Sequence, residues 1–300
     1  GMQPSEDSQS LLDQIELYKL ARPNKVRNGK KGVSSGTIRN YNTTISRLKK
    51  FEADKSIKLE LNSINLSFHD DYLQYGTNDL GLALNSIGKD IRNIKTACLD
   101  AKDRGLEVNP QLSSRKFSAP SEKTIFTTLN EDDLTKLKSF KGSNYLENAR
   151  DWLLIGCWTG CRVGDLMNLA MSNVVKHSED VSLIQYTQSK TGKLVNVPIH
   201  SDVKEILEKL EDFPRPISAA KFNKYIKEIS QKAGLTHLVH GTRQNPKTHR
   251  KETGMFEKWE LIRSHTCRRS FATNHYNKLP NKIIMAVTGH ATEKMLLNYI

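Results

Sequence analysis

His265-Thr266-Cys267-Arg268, then Thr288-Gly289-His290, then Tyr299: this ordered run decides the reading of the chain. Far upstream stands its complement, Thr159-Gly160-Cys161-Arg162-Val163-Gly164-Asp165-Leu166. Together they supply two guanidiniums, two imidazoles and a phenol. Guanidiniums neutralise a phosphate in forked hydrogen bonds, imidazoles hold its oxygens and move protons, and a phenol can attack phosphorus. That set is sufficient to break a phosphodiester without a metal.

Singly, each residue has a plain structural role. Arg162 reads as an arginine at a helix start, with Asp165 three residues on, placed to hold the guanidinium or to orient an imidazole. His290 reads as a turn cap, and Tyr299 as an aromatic packed beside Met295 and Leu296. His265 and Arg268 share one helical face, and Arg269 points off it. His240-Gly241-Thr242-Arg243 repeats the H-x-x-R spacing, but it lies in irregular, Gly- and Pro-bearing sequence. Only the later pair runs on into Ser-Phe-Ala-Thr, Thr-Gly-His290 and a tyrosine nine residues further. Tyr276, the rival phenol, follows Arg268 by only eight.

Working outward, Leu146, Trp152, Leu153, Ile155 and Trp158 predict a buried helix over 144–159 that delivers Gly160 and Arg162 at its end. Asn130 caps a preceding helix with acids in its first turn. Residues 181–188 and 194–199 read as strands joined in a hairpin by Ser189-Lys190-Thr191-Gly192-Lys193, with Pro198 marking an edge. Helices are expected over 201–211, 218–233, 266–278, 282–288 and 292–300, and irregular chain over 237–263. Towards the amino end, Ile38, Tyr41, Ile45 and Leu48 follow Ser34 and Ser35 at helical spacing, and a second segment centres on Phe68, Tyr72 and Leu73. A longer helix starts near Asn85, repeats Ile87, Ile91, Ile94, Cys98 and Ala101, and stops at Gly105. Its other face carries Lys89, Arg92, Lys95 and Lys102. Residues 106–124 hold Pro110 and Pro120 without periodicity, as a connector does. The fold class is therefore mainly α with a small antiparallel β-sheet. It divides into a helical domain over 1–110, a linker over 111–124 and a larger domain over 125–300.

Charge points to a polyanionic partner. The chain has 46 basic against 33 acidic side chains, a net charge of +13. Residues 1–119 carry 19 basic and 14 acidic, and residues 120–300 carry 27 and 19, so both parts share the surplus. No apolar run approaches the roughly 20 residues of a membrane span. Cys98, Cys157, Cys161 and Cys267 form no CxxC pair and read as buried free thiols in a reducing compartment, without a metal site.

The Arg box, the lysine hairpin, H-x-x-R, G-H and Y in this order resemble the tyrosine recombinase (phage integrase) family. The resemblance covers about residue 34 onward and is strongest over 159–199 and 264–300. It implies a helical core-binding (SAM-like) domain and a catalytic domain that form a C-shaped clamp on double-stranded DNA. It further implies a 3′-phosphotyrosine intermediate and no cofactor. On this basis Arg162, Lys190, His265, Arg268, His290 and Tyr299 are the catalytic set and Asp165 supports them. Lys190 matches the family's Lys-Thr pattern better than Lys193 and would protonate the departing 5′ oxygen. Lys89, Arg92, Lys95 and Lys102 become candidates for lying along a DNA groove, and Lys247, Arg250 and Lys251 mark a candidate DNA-facing insertion. Expected partners are attachment-site DNA, a homotetramer on synapsed DNA and accessory DNA-bending proteins, in the cytoplasm of a bacterial host and encoded by a phage or transposon. Relatives usually carry a tail beyond the tyrosine and an arm-site domain ahead of the helical module. Neither is expected here, which puts assembly by this polypeptide in question. A type IB topoisomerase uses nearly the same residues, and a DNA-binding protein that lost catalysis would share the fold. The helical module and short spacings favour the first reading over the topoisomerase, and the undamaged set favours it over the second.

Overall fold

Apolar residues three and four apart draw the amino-terminal helices together. The computed structural model describes residues 8–21, 26–27, 30–31, 35–179, 181–245, 247–248 and 250–300. Two units are distinguished, residues 1–123 with 246–250, and residues 124–245 with 251–300.

In the first unit, α1 (Leu11–Ala21) buries Leu11, Ile15 and Tyr18. A two-residue antiparallel pair, β1 (Val26–Arg27) and β2 (Lys30–Lys31), follows. Next come α2 (Ser35–Lys55), α3 (Leu66–Gln74) and α4 (Leu84–Asp103). The expected cap Ser34 lies outside the described residues. Tyr41 and Leu48 of α2 are buried, as are Ile87, Ile91, Ile94, Cys98 and Ala101 of α4. Phe51 meets Phe68, Tyr72 and Tyr75 edge-on, with centroids 6.0, 5.4 and 5.0 Å away. One buried carboxylate locks three helices. Asp90 accepts from Thr44 Oγ1 (2.7 Å), Arg47 Nη1 (2.9 Å) and Tyr72 Oη (3.3 Å). Asp90→Ala should destabilise the protein by about 3 kcal/mol, because it strands two hydroxyls and a guanidinium in low dielectric. Denaturant unfolding checks this.

The stretch read as a linker is partly packed. Leu112 and Phe117 are buried in the first unit's core. Asn85 Nδ2 donates to the Glu122 carbonyl at 2.8 Å. At Gly88 an added Cβ would stand 2.1 Å from the Pro120 carbonyl oxygen, so only glycine lets the stretch approach α4 here.

The second unit opens with α5 (Glu131–Ser139), capped by Asn130 accepting from the Asp133 N–H. It continues with α6 (Asn144–Thr159), α7 (Val163–Leu166), and the antiparallel sheet β3 (Val174–Lys176), β4 (Ser182–Thr187) and β5 (Leu194–Pro198). Sheet order is β3-β4-β5, so Pro198 does lie on an edge strand. After α8 (Ser201–Leu210) and α9 (Ala219–Lys232) come β6 (Leu238–Gln244), β7 (Lys251–Glu257) and α10 (Lys258–Leu261). Three helices close the chain, α11 (Ser264–His275), α12 (Asn281–Thr288) and α13 (Glu293–Leu297). The core wraps α6, whose Trp152 stacks on Phe213 at 5.9 Å. A Cβ at Gly156 would stand 3.1 Å from Cys267, so α11 lies close against α6 and brings the H-x-x-R turn to the Arg162 turn.

The irregular chain expected over 237–263 is instead the β6–β7 hairpin, in register from Leu238↔Glu257 to Gln244↔Lys251. Its ladder forms without an apolar face. Gly241 is the buried residue of β6, pressed against Leu261, where a Cβ would come within 2.4 Å. Among the described residues, no helix is long and apolar enough to cross a membrane.

Candidate active site

Two left-handed glycines build two of the site's turns. Gly160, at φ 64°, ends α6 and turns the chain so that Arg162 stands extended at the start of α7. Gly289, also at φ 64°, ends α12 and presents His290. A residue with a Cβ would be strained at either position.

Arg162 Nη1 donates to Gln188 Oε1 at 2.8 Å. Asp165 takes neither partner that its spacing suggested. Its Oδ1 accepts from the Ser189 N–H (3.0 Å) and hydroxyl (2.6 Å), anchoring one shoulder of the Lys190 turn. The turn closes through Gln188 N–H to the Lys193 carbonyl and Gly192 N–H to the Gln188 carbonyl, both 2.8 Å. Lys190 and Lys193 are both exposed.

On α11, Arg268 is only 1% exposed, and its Nη1 donates to the Gly160 carbonyl at 2.8 Å. Its Nη2 is buried without a hydrogen-bond partner. A stranded donor of this kind is costly unless a ligand completes it. The Tyr299 hydroxyl is hydrogen-bonded to His265 Nε2, and the His290 ring lies edge-on to Tyr299 with centroids 4.3 Å apart. Tyr299 lies in the turn just after α13, its N–H bonded to the Leu296 carbonyl at 2.7 Å. Tyr276 caps the opposite end of α11 from His265, about 16 Å along the axis.

Arg269, expected to point away, holds the tyrosine. Its Nη1 donates to the Tyr299 carbonyl at 2.8 Å, and its guanidinium lies 4.3 Å from the Tyr299 ring and 3.6 Å from that of Phe126. Among the described residues, none of Arg162, Arg268 and Arg269 forms an ion pair with a carboxylate. The decoy behaves differently: Arg243 pairs with Glu252 at 2.7 Å and with Glu260, so its charge is spent. On strand β6, His240 and Arg243 also face opposite sides.

Burial, reinforced by this unpaired positive charge, sets the imidazoles. Desolvation first, then Arg269, Arg268 and Arg162, push His265 down to about 4. Desolvation followed by Arg268, Arg162 and Arg269 does the same to His290, also to about 4. Both rings are neutral at pH 7. The Thr288 hydroxyl donates to the Ile284 carbonyl (2.5 Å), so towards His290 Nδ1 (2.9 Å) its oxygen accepts. His290 thus carries its proton on Nδ1 and offers a bare Nε2. Both folded-state values lie below the unfolded value of about 6.5. The stability contribution is therefore complete above pH 6.5 and is lost as pH falls from there towards 4. Thermal unfolding across pH 4–7 should show this slope, and it should flatten when His265 and His290 are both replaced by glutamine.

Residues 127–300 match the sequence model of the phage integrase family, and residues 16–116 match that of the phage integrase SAM-like domain. The chain belongs to the phage integrase family. No curated protein matches it. Solved structures of other phage integrase family folds resemble it at low identity. A lambda integrase tetramer bound to a Holliday junction is 18% identical with a TM-score of 0.61, over 96% of this chain and 80% of that one. The Tn1549 transposon integrase in complex with transposon right end DNA is 16% identical with a TM-score of 0.68, over 97% and 94%. The XerH site-specific recombinase bound to palindromic difH substrate, a post-cleavage complex, is 15% identical with a TM-score of 0.63, over 98% and 86%.

Of the candidate groove residues in this phage integrase fold, Lys89, Arg92 and Lys102 are exposed. Lys95 is already engaged. Its ammonium donates to the Phe117 carbonyl at 2.9 Å and lies 5.6 Å from that ring's centre, tying the former linker to α4. Gln188 and Arg269 were missing from the sequence-derived set. Gln188 had a signal, since it continues the inward register of Ile184 and Tyr186 and so puts a polar residue at a buried position.

Proposed function

We propose that this protein is a site-specific DNA recombinase that cuts and rejoins duplex DNA through Tyr299, integrating or excising a mobile element. The observation that carries this reading is the Tyr299 hydroxyl bonded to a neutral His265, beside three guanidiniums that no carboxylate among the described residues neutralises. As the phenol oxygen attacks the scissile phosphorus, its proton passes to His265 Nε2. The bond to the 5′ oxygen breaks, and Lys190 protonates that oxygen as it leaves. The products are a 3′-phosphotyrosine and a 5′-hydroxyl, and rejoining is the reverse, so no external energy source is needed. Arg162 and the stranded Nη2 of Arg268 donate to the charge that develops on the phosphorane, whereas the bare Nε2 of His290 is an acceptor and donates to that charge only once it has taken up a proton. The incoming phosphate offsets the guanidiniums, so the pKa of His265 rises as the base is needed. The DNA complexes of lambda integrase and the Tn1549 integrase suggest duplex DNA as partner, and the lambda Holliday junction complex suggests a tetramer on synapsed sites. Exposed Lys89, Arg92 and Lys102 are proposed to contact the backbone.

Covalent capture tests the reading. The protein is incubated, in excess chelator, with nicked duplexes carrying a random central sequence, and adducts are isolated under denaturing conditions. Enrichment of one sequence class is expected, because arginines supply the charge neutralisation that a divalent ion provides elsewhere. No adduct, or adducts only when a divalent ion is added, would overturn it. The captured duplex then serves as substrate.

A further inference from the structure

Three of the site's segments meet on one side chain, which stands at the base of the Lys190 turn. Gln188 follows β4 and is fully buried. Its Oε1 accepts from Arg162 Nη1 and from Thr191 Oγ1, each at 2.8 Å. Its Nε2 donates to the Val287 carbonyl at 3.1 Å, one turn before His290. At Gly289 a Cβ would stand 2.4 Å from Oε1, so the His290 turn is pressed against the amide. The backbone of Gln188 also closes the Lys190 turn on both sides. The amide's orientation follows from its partners, because two donors require the oxygen and a carbonyl requires the nitrogen.

The chemistry of the acceptor is as informative as its place. A carboxylate 2.8 Å from Arg162 would hold that guanidinium equally well, but would cancel its charge. An amide orients it and leaves the charge whole. The same logic governs Arg268, which is held by the Gly160 carbonyl.

We propose that Gln188 is a positioning residue that presents Arg162 at full charge and fixes the Lys190 turn to the His290 turn. This rests on the recombinase reading, in which all three act on one phosphate. Gln188→Glu keeps the shape and the acceptors but adds a negative charge and loses the donor to Val287. Single-turnover cleavage of the captured duplex should slow on the order of 10²-fold, with DNA affinity within a few-fold of the parent. On a duplex with a methylphosphonate at the scissile position, one phosphate charge is gone and less of Arg162's charge is needed. The deficit of Gln188→Glu relative to the parent should therefore shrink at least tenfold there. In an Arg162→Ala background, Gln188→Glu should cost little more, since it acts through that side chain. If Gln188→Glu fails to fold by circular dichroism, Thr191→Val removes one partner of the amide on the turn. It should then slow cleavage without altering affinity. A Gln188→Glu protein that cleaves at the parental rate overturns the proposal, as does an equal deficit on both substrates, full additivity with Arg162→Ala, or an unaffected Thr191→Val where that variant is needed. A parent that captures no duplex instead defeats the recombinase reading itself.

Discussion

Lys190→Ala should slow cleavage of the captured duplex by about 10²–10⁴, the usual worth of a positioned general acid. The lysine stands exposed on a turn held at one shoulder by Asp165 and at the other by Gln188. Its placement is thus fixed by the fold while its ammonium stays free to reach a leaving oxygen. A 5′ alkoxide leaves poorly without a proton, whereas a thiolate, with a thiol pKa of about 8.5, leaves unaided. On a substrate with sulfur at the bridging 5′ position, the mutant should recover most of its rate. Arg162→Ala should not recover, because sulfur substitution leaves the non-bridging oxygens unchanged. Equal failure of Lys190→Ala on both substrates would make this lysine a DNA contact, and Lys193 and His265 would be tested as the acid.

Tyr299→Phe should bind the captured duplex as the parent does and form no covalent adduct at all. The substitution removes one oxygen. The ring keeps its contacts with Arg269 and His290, and the main-chain carbonyl still receives Arg269 Nη1 at 2.8 Å. Tyr276→Phe should retain the adduct, since that phenol lies beyond the far end of α11. Binding follows from retention on labelled duplex, and the adduct from a denaturing gel.

The residues that were legible in the sequence share a physical trait. Helices α4 and α6 announce themselves because their apolar residues recur at helical spacing and because glycine ends or follows each one. The ordered polar set was legible because its members sit at helix starts and left-handed turns, where the sequence is punctuated by Gly160 and Gly289. The β6–β7 hairpin was not legible, because its apolar residues stand as adjacent pairs, Leu238-Val239 and Met255-Phe256, so neither strand shows an apolar period of two. Helix α1 was overlooked although Leu11, Ile15 and Tyr18 carry the period, since Leu12, Leu17 and Leu20 on its other faces blur the apolar stripe and Gln14 is a polar residue on the buried one. Arg269 shows a different gap. It lies about 100° round the helix from Arg268, which spacing alone reads as the wrong face. Only the return of the chain end to α11 makes it the arginine that holds Tyr299. Asp165 shows the same gap, because its partner Ser189 comes from another element, at a distance no local spacing encodes.

Peptide mapping of the denatured covalent adduct is the most direct test of the proposed chemistry. The DNA should be found on Tyr299 through a 3′-phosphate, with a free 5′-hydroxyl on the released end, from reactions run in excess chelator. DNA attached to Tyr276 or any other residue, or linked through its 5′ end, would contradict the assignment of Tyr299 as nucleophile.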